Sequence, residues 1–177
     1  LNADVKGLSQ AMRNAADAQN FLDTAEGAYA EVENILLRIR ELAVQGSNST
    51  NSTTDIGYLE DEMTALEAEI TAIGTDTTWS DTEMLGADTA AFQFQVGTNN
   101  GDTITVTTSA LTLSALSLGA STVSTAATSM AYITTVDSAI ETLSGLRKDI
   151  GKVSNRLNHT MANPVSYTHL TLPTSNS

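Results

Sequence analysis

The sequence predicts a mainly α-helical protein, an elongated antiparallel bundle of long heptad-patterned helices that carries one β-hairpin. Three observations predict it. Leu1, Leu8, Ala15, Leu22, Tyr29, Leu36 and Ala43 recur every seven residues, and Ala11, Ala18, Ala25, Val32 and Ile39 sit three places after them. Apolar residues at this spacing fall on one stripe of a helix, and alternating three- and four-residue steps are the signature of helices packed along one another. A second such stripe, Ile133, Val136, Ile140, Leu143, Leu146, Ile150, Val153 and Leu157, lies near the other end of the chain. Between them, Phe92, Phe94 and Val96 alternate with Gln93 and Gln95, and the period becomes that of a strand.

Residues 1–46 form the first helix. No proline interrupts them, and the small alanines at the second seam position allow close approach by a neighbour. Gly46 and the run SNSTNSTT then stop the helix, because these side chains prefer local hydrogen bonds to helical continuation. A second helix is expected over 56–73, where Ile56, Leu59, Met63, Leu66, Ile70 and Ile73 step by three and four. Asp55 or a neighbouring Thr would cap it and Gly74 would end it. Residues 74–91 are polar and loop-like, with Trp79 and Leu85 tucked onto the helices. The hairpin covers 92–106, and Asn100-Gly101 supplies the positive-φ pair of a tight turn. The Ser-, Thr-, Ala- and Leu-rich stretch that follows has no firm period. The third helix is expected over 128–162, tolerating Gly145 and Gly151 where a neighbour comes close.

Pro164 is expected to break that helix. The last residues, PVSYTHLTLPTSNS, lack charge and resemble translated cloning sequence, so 164–177 are read as a non-native tail. A natural disordered end is the other reading. The expected core includes Leu22, Leu36, Leu66, Ile140 and Ile150.

Composition bounds the class. A chain of 177 residues is close to the rough length of one domain, about 150, and 41% hydrophobic residues can fill a core. With 8 basic against 21 acidic residues the net charge is -13, which repels phosphate backbones and anionic lipid, so nucleic acid and membrane are not expected partners. There is no cysteine, hence no disulfide framework and no thiolate metal site. No apolar run reaches the ~20 residues of a membrane-spanning helix. Leu1 already sits on the heptad seam, so the chain is expected to be a fragment that begins within a helix.

The sequence offers no catalytic constellation. His159 and His169 have no Cys, Asp or Glu at metal-ligand spacing, and no GxSxG, HExxH, P-loop or GxGxxG pattern occurs. Glu60, Asp61, Glu62, Glu67 and Glu69 read as a solvated acidic face of the second helix. Asn48-Ser49-Thr50, Asn51-Ser52-Thr53 and Asn158-His159-Thr160 match the glycosylation pattern, but polar loops produce such matches by chance. No enzyme, cofactor or metal is expected.

Three blocks carry a family resemblance: GLSQAMRNAADAQNFLDTAEGAYAEVENILLRIRELAVQGSNSTNS at 7–52, FQFQVGTNNGDTITV at 92–106, and VDSAIETLSGLRKDIGKVSNRLNHTMAN at 136–163. In this order they resemble bacterial flagellin, over nearly all of residues 1–163. The resemblance implies the flagellin core domain: two N-terminal helices, a hairpin, and a C-terminal helix packed antiparallel on them. It implies a core-only type, because the variable outer domain that flagellins usually carry after the hairpin is replaced here by the short Ser/Thr stretch. The function implied is that of a secreted, extracellular structural subunit, a homopolymer of which forms the flagellar filament for motility. Absent cysteine suits such export. An export chaperone would bind through a C-terminal region that this chain lacks.

Open contacts between subunits propagate a filament, and Val5, Met12, Ile35 and Leu42, beside the seam, are candidates for the face that makes them. They could equally widen the internal stripe. The resemblance also implies recognition by the vertebrate Toll-like flagellin receptor, an innate immune receptor, through Arg38, Leu42 and Glu62, matched by their places around RELAVQ and on the next helix. These three are the candidate receptor or subunit contacts, expected on a common, partly accessible surface. Leu37 stands where recognised flagellins commonly have Gln, and Leu66 where a basic residue is common. The alternatives are a flagellar hook-filament junction protein, which resembles flagellin in this core, and a non-catalytic coiled-coil signalling or adaptor protein, which would not need the hairpin.

Overall fold

The computed structural model describes the backbone of residues 1–87, 91–119 and 122–171, with side chains as far as Ala162. Among these residues the elements are three long helices, α1 (Asn2–Gly46), α2 (Thr53–Asp76) and α3 (Ala126–Thr171), and two antiparallel strand pairs, β1 (Thr78–Trp79) with β2 (Thr82–Glu83) and β3 (Ala91–Gln95) with β4 (Thr103–Thr107). They group into two compact units. One comprises Leu1–Asp23, Ala91–Thr107 and Asp149–Ser177, and the other Thr24–Ala90 and Thr108–Lys148.

In the first unit α1 presents Ala11, Ala15, Ala18, Phe21 and Leu22 inward. The hairpin supplies its inner face. Phe92 pairs with Val106 and Phe94 with Ile104 across the ladder, and the Phe21 ring meets Phe92 and Phe94 with centroids 4.6 and 5.7 Å apart, tilted and edge-on. Alanines flanking Phe21 let the strands come down onto the helix. Asn14 Nδ2 donates to the Gln95 carbonyl at 2.9 Å, and Gln19 exchanges hydrogen bonds with Ser154 of α3. The hairpin closes differently from the sequence expectation. Only Gly101 has positive φ, at 91°. The loop spans Val96 to Asp102, with Val96 N–H donating to Asp102 O at 2.8 Å and Asp102 N–H to Asn99 O at 3.2 Å. A turn of this kind needs a left-handed residue at its third position and not at its second.

In the second unit α1 and α3 run antiparallel, as do α1 and α2. Ala25, Val32, Leu36, Ile39 and Ala43 of α1, Val136, Ala139 and Leu143 of α3, and Leu59, Met63 and Ile70 of α2 are all buried. Ser52 starts α2 through a capping box, accepting from Asp55 N–H while the Asp55 side chain accepts from Ser52 N–H. Asp55 is thus the third residue of the helix and not its cap. Thr125 and Thr128 form the corresponding reciprocal pair before α3. Gly74 lies inside α2, which runs on to Asp76. A Cβ there would come within 2.5 Å of the Leu111 carbonyl oxygen, so this glycine serves close approach and not termination. The segment that crosses it lacks a period because it is a Schellman-type turn: Leu118 N–H donates to Leu113 O and Ser117 N–H to Ser114 O, with Ser117 at φ 56. It buries Leu111, Leu116 and Leu118.

Other expectations need correction. Residues 78–83, expected as loop, form a small hairpin whose turn residues Ser80 and Asp81 are both left-handed, with φ 48 and 61. Leu85 is buried but Trp79 only half so. Leu66 and Ile140 are half-buried, and Glu67 and Ala139 occupy the seam instead. A straight helix turns 3.6 residues per turn, so a stripe read in strict threes and fours can slip by one place. Leu1 is 90% exposed. α3 does not stop at Pro164 but continues to Thr171. A proline removes one hydrogen bond and kinks a helix, which neighbouring turns can survive. The end of the expected tail, 172–177, lies outside the described residues, as do 88–90 of the loop and 120–121 of the Ser/Thr stretch.

Replacing Leu36 by Ala is expected to cost about 2 to 5 kcal/mol, read as a lower denaturant midpoint at unchanged slope. Leu66→Ala and Ile140→Ala are expected to cost less. Equal losses at all three would overturn this assignment of the core.

Candidate functional site

The candidate residues sit where α1 ends and α2 begins. Gly46 can pack there because it has no side chain: a Cβ would meet Ser129 Oγ at 2.4 Å and Leu59 Cδ1 at 3.6 Å. The polar loop then satisfies the last carbonyls of α1, with Asn51 Nδ2 donating to Gln45 O at 2.7 Å and Ser47 Oγ to Val44 O at 2.6 Å. This short connection returns α2 beside α1 and brings Glu62 opposite Arg38.

Arg38 and Glu62 are joined directly. Nε and Nη2 of Arg38 donate to Glu62 Oε1 at 3.1 and 2.9 Å, and Nη1 reaches Glu41 Oε1 at 3.0 Å. The Glu62 bond chiefly, then the Glu41 bond, holds the guanidinium even further above its ordinary range, so Arg38 is a fixed cation. Both side chains are exposed, at 43% and 46%. Leu42 departs from expectation: it is 1% exposed and belongs to the core. It lies one turn from Arg38 on the same helix, yet on its buried side. The predicted common accessible surface therefore contains Arg38 and Glu62 without Leu42. Of the other candidates for an outer face, Val5 and Met12 are exposed at 53% and 38% and Ile35 is half-buried. Leu37 and Val44, which sequence reasoning did not choose for this role, are exposed at 49% and 45%.

Two further ionic links tie α1 to α3. Arg40 Nε donates to Asp137 Oδ1 at 2.6 Å. Arg147 contacts Glu26 Oε1 through Nε and Nη2 at 2.8 and 2.6 Å, and Glu33 through Nη1. Glu26 and Glu33 are one heptad apart, so both reach the same guanidinium.

The group that sequence reasoning missed is Glu67. Expected on the solvated face of the second helix, it is instead 4% exposed and accepts a hydrogen bond from the Tyr132 hydroxyl of α3. The step of four from Met63, with a tyrosine on the facing seam, was the available signal. Burial first, then the bond to Glu67, pushes the Tyr132 phenol well above its ordinary range. Tyr29, buried and bonded to the Ser109 backbone, is raised chiefly by desolvation. These are groups of a packed interior. Among the described residues, no cluster of three or more His, Asp or Glu could hold a metal, and no helix is long and apolar enough to cross a membrane.

The described residues thus form long helices tied to one another by ion pairs, with a hairpin packed on the first and no metal-binding cluster among them. The profile of the bacterial flagellin N-terminal helical region matches residues 1–90. A flagellin of Halalkalibacterium halodurans is 40% identical over 165 residues, 92% of this chain and 61% of that protein. A flagellin of Salmonella paratyphi A is 40% identical over 104 residues, 59% of this chain and 21% of that one. The Bacillus cereus flagellin crystal structure superposes with a TM-score of 0.77 at 33% identity, covering 86% of this chain and 88% of that one. A flagellar hook-associated protein from Vibrio parahaemolyticus shares the fold, with a TM-score of 0.77 at 16% identity over 96% and 91% of the two chains. The chain belongs to the bacterial flagellin family. It spans less than two thirds of the length of these two sequence relatives.

The raised phenol gives a test. An unfolded tyrosine ionises near pH 10, and the folded groups ionise only at higher pH. Their contribution is therefore whole below about pH 10 and is lost as pH rises beyond it. Tyr132→Phe is expected to flatten this alkaline loss without abolishing it, since Tyr29 remains. At neutral pH it should cost about 1 to 3 kcal/mol by leaving Glu67 buried without this donor, whereas Tyr132→Phe with Glu67→Leu should be nearly neutral. Denaturant unfolding at pH values on both sides of 10 checks it.

Proposed function

We propose that this chain is the core of a structural subunit of the bacterial flagellar filament, which polymerises outside the cell through its helices and serves motility. Membership of the flagellin family supports the reading, and one observation carries it to this chain. α1 bears apolar side chains that its own core does not use, Val5, Met12, Leu37 and Val44. Exposing them individually costs little, but along a helix they offer area to a neighbouring copy, and heterologous contacts of that kind build open helical assemblies. The net charge of -13 keeps free subunits apart, so apolar contact has to overcome repulsion at assembly.

A second reading concerns the vertebrate Toll-like flagellin receptor. Arg38 and Glu62 are accessible, and an exposed arginine is a frequent centre of interfaces. Arg38 already shares its donors with Glu62 and Glu41, so a receptor carboxylate would have to replace one of them. Leu42 would act from beneath, through the core packing of α1. Arg38→Ala in a complete flagellin carrying this core is expected to weaken receptor signalling by about 1 to 3 kcal/mol of binding while changing stability by no more than about 1 kcal/mol. Leu42→Ala is expected to lower stability by about 2 to 5 kcal/mol. Undiminished signalling by folded Arg38→Ala would remove the receptor reading and leave the structural one.

For assembly, the same complete flagellin with Met12→Glu or Leu37→Glu is expected to stay within about 0.5 kcal/mol of parental stability, as exposed sites do. It should lose filament formation, read by sedimentation and by motility of a strain lacking its own flagellin. Full filaments from both variants would overturn the assignment of this face. Restoration of only the hook-filament junction would instead favour the junction protein.

A further inference from the structure

We propose that Asn100 is a site of spontaneous covalent ageing, at which the side-chain amide is lost through a cyclic succinimide to give aspartate and isoaspartate. Asn100-Gly101 is the one Asn-Gly step in the sequence. The reaction needs the following backbone nitrogen to reach the asparagine side-chain carbonyl carbon, and a side chain on the following residue obstructs that approach. Gly101 has none. An ideal Cβ at this position would meet nothing within 4 Å, and its φ of +91° is open to few other residues.

Four structural features leave this step free to react. Asn100 is exposed, and its side chain makes no hydrogen bond among the described residues. The Gly101 carbonyl accepts from Thr103 N–H at 2.8 Å, but the Gly101 N–H has no acceptor among the described residues, so the nucleophile is not held in a ladder. Open clefts of about 470 and 270 Å³ flank the loop, the first lined by Gly101 and Asp102 and the second by Asn99 and Asn100, so solvent reaches both sides of the bond. The neighbouring asparagines differ. Asn99 is followed by a residue with a side chain, and Asn14, Asn20 and Asn158 lie within helices, where the following N–H is committed to the backbone ladder.

The chemistry balances with water as the only co-reactant. Solvent base removes the Gly101 amide proton, and that nitrogen bonds to Asn100 Cγ. The Cγ–Nδ2 bond breaks, and Nδ2 leaves as ammonia after taking a proton from water. Water then opens the five-membered imide at either carbonyl. Cleavage of the new N–Cγ bond gives aspartate, and cleavage of the original peptide bond gives isoaspartate. Either product places a second carboxylate two residues from Asp102, whose Oδ2 caps Asn99 N–H at 2.9 Å. Isoaspartate also lengthens the backbone inside the turn closed by Asn99 O and Asp102 N–H. Ageing at Asn100 is thus expected to loosen the loop.

The test incubates the full chain in mildly alkaline buffer, folded and in denaturant, and follows the chymotryptic peptide of residues 95–111 by mass and chromatography. The expected result is a mass gain of one unit at Asn100, as two separable products, with the folded rate within severalfold of the denatured rate. Gly101→Ala should slow it severalfold, and Asn100→Gln should remove the gain from this peptide. Gain in the denatured chain alone would overturn the proposal, as would a gain in this peptide that survives Asn100→Gln.

Discussion

Alanine on the inner stripe of α1 sets how closely everything else can approach. In the first unit Ala11, Ala15 and Ala18 are almost wholly buried, and Phe92 and Phe94 of the hairpin meet Phe21 of the same helix. A helix of leucines at these places would hold the strands off, and a two-stranded hairpin is at best marginal by itself in water. The hairpin is an ordered element because the helix beneath it is narrow there. In the second unit the stripe also holds the larger Val32, Leu36 and Ile39, all fully buried, between Ala25 and Ala43.

Three of the eight basic side chains tie one helix to another. Arg38 ties α1 to α2, and Arg40 and Arg147 tie α1 to α3. Each pair is at least partly exposed, so each contributes little to stability, but an apolar stripe of similar residues can slide by a turn at small cost. Fixed charges at named heights on the helices make one alignment better than its neighbours. Glu67 with Tyr132 does the same from inside. A buried carboxylate that meets its hydroxyl in only one register penalises every other, by the desolvation of an unpaired charge.

The helices and the main hairpin were legible because each depends on a local period. The end of α1 was legible from Gly46 and its serines and asparagines, which satisfy the helix end as their chemistry suggests. What was not legible depended on distant residues. Gly74 looks like a helix stop until the Leu111 carbonyl is placed above it. Ser52 and Asp55 form a box of known type, but an Asp just before an apolar run reads equally as a cap. Glu67 is hidden by its own charge, since nothing local distinguishes a carboxylate that faces water from one that faces Tyr132. In the candidate site Arg38 meets Glu62, as the antiparallel reading of the first two helices implies, while Leu42 is buried in the core. Four residues of separation fix a shared side of the helix, but a stripe is wide enough to hold one exposed and one buried residue.

The same distinction separates what holds the subunit together from what remains for partners. Several polar groups of the described residues are satisfied internally, at caps, loop ends and inter-helix pairs. The apolar side chains left over on α1, Val5, Met12, Leu37 and Val44, have no such satisfaction available inside the chain. A partner that binds through them gains by excluding water and breaks no internal hydrogen bond. A partner that binds through Arg38 must instead exchange one carboxylate for another, with a net gain that depends on the difference between two similar interactions. On that comparison, association along the apolar side chains of α1 is the cheaper mode for this fold, and recognition at Arg38 requires a partner shaped to compensate for the bonds it displaces.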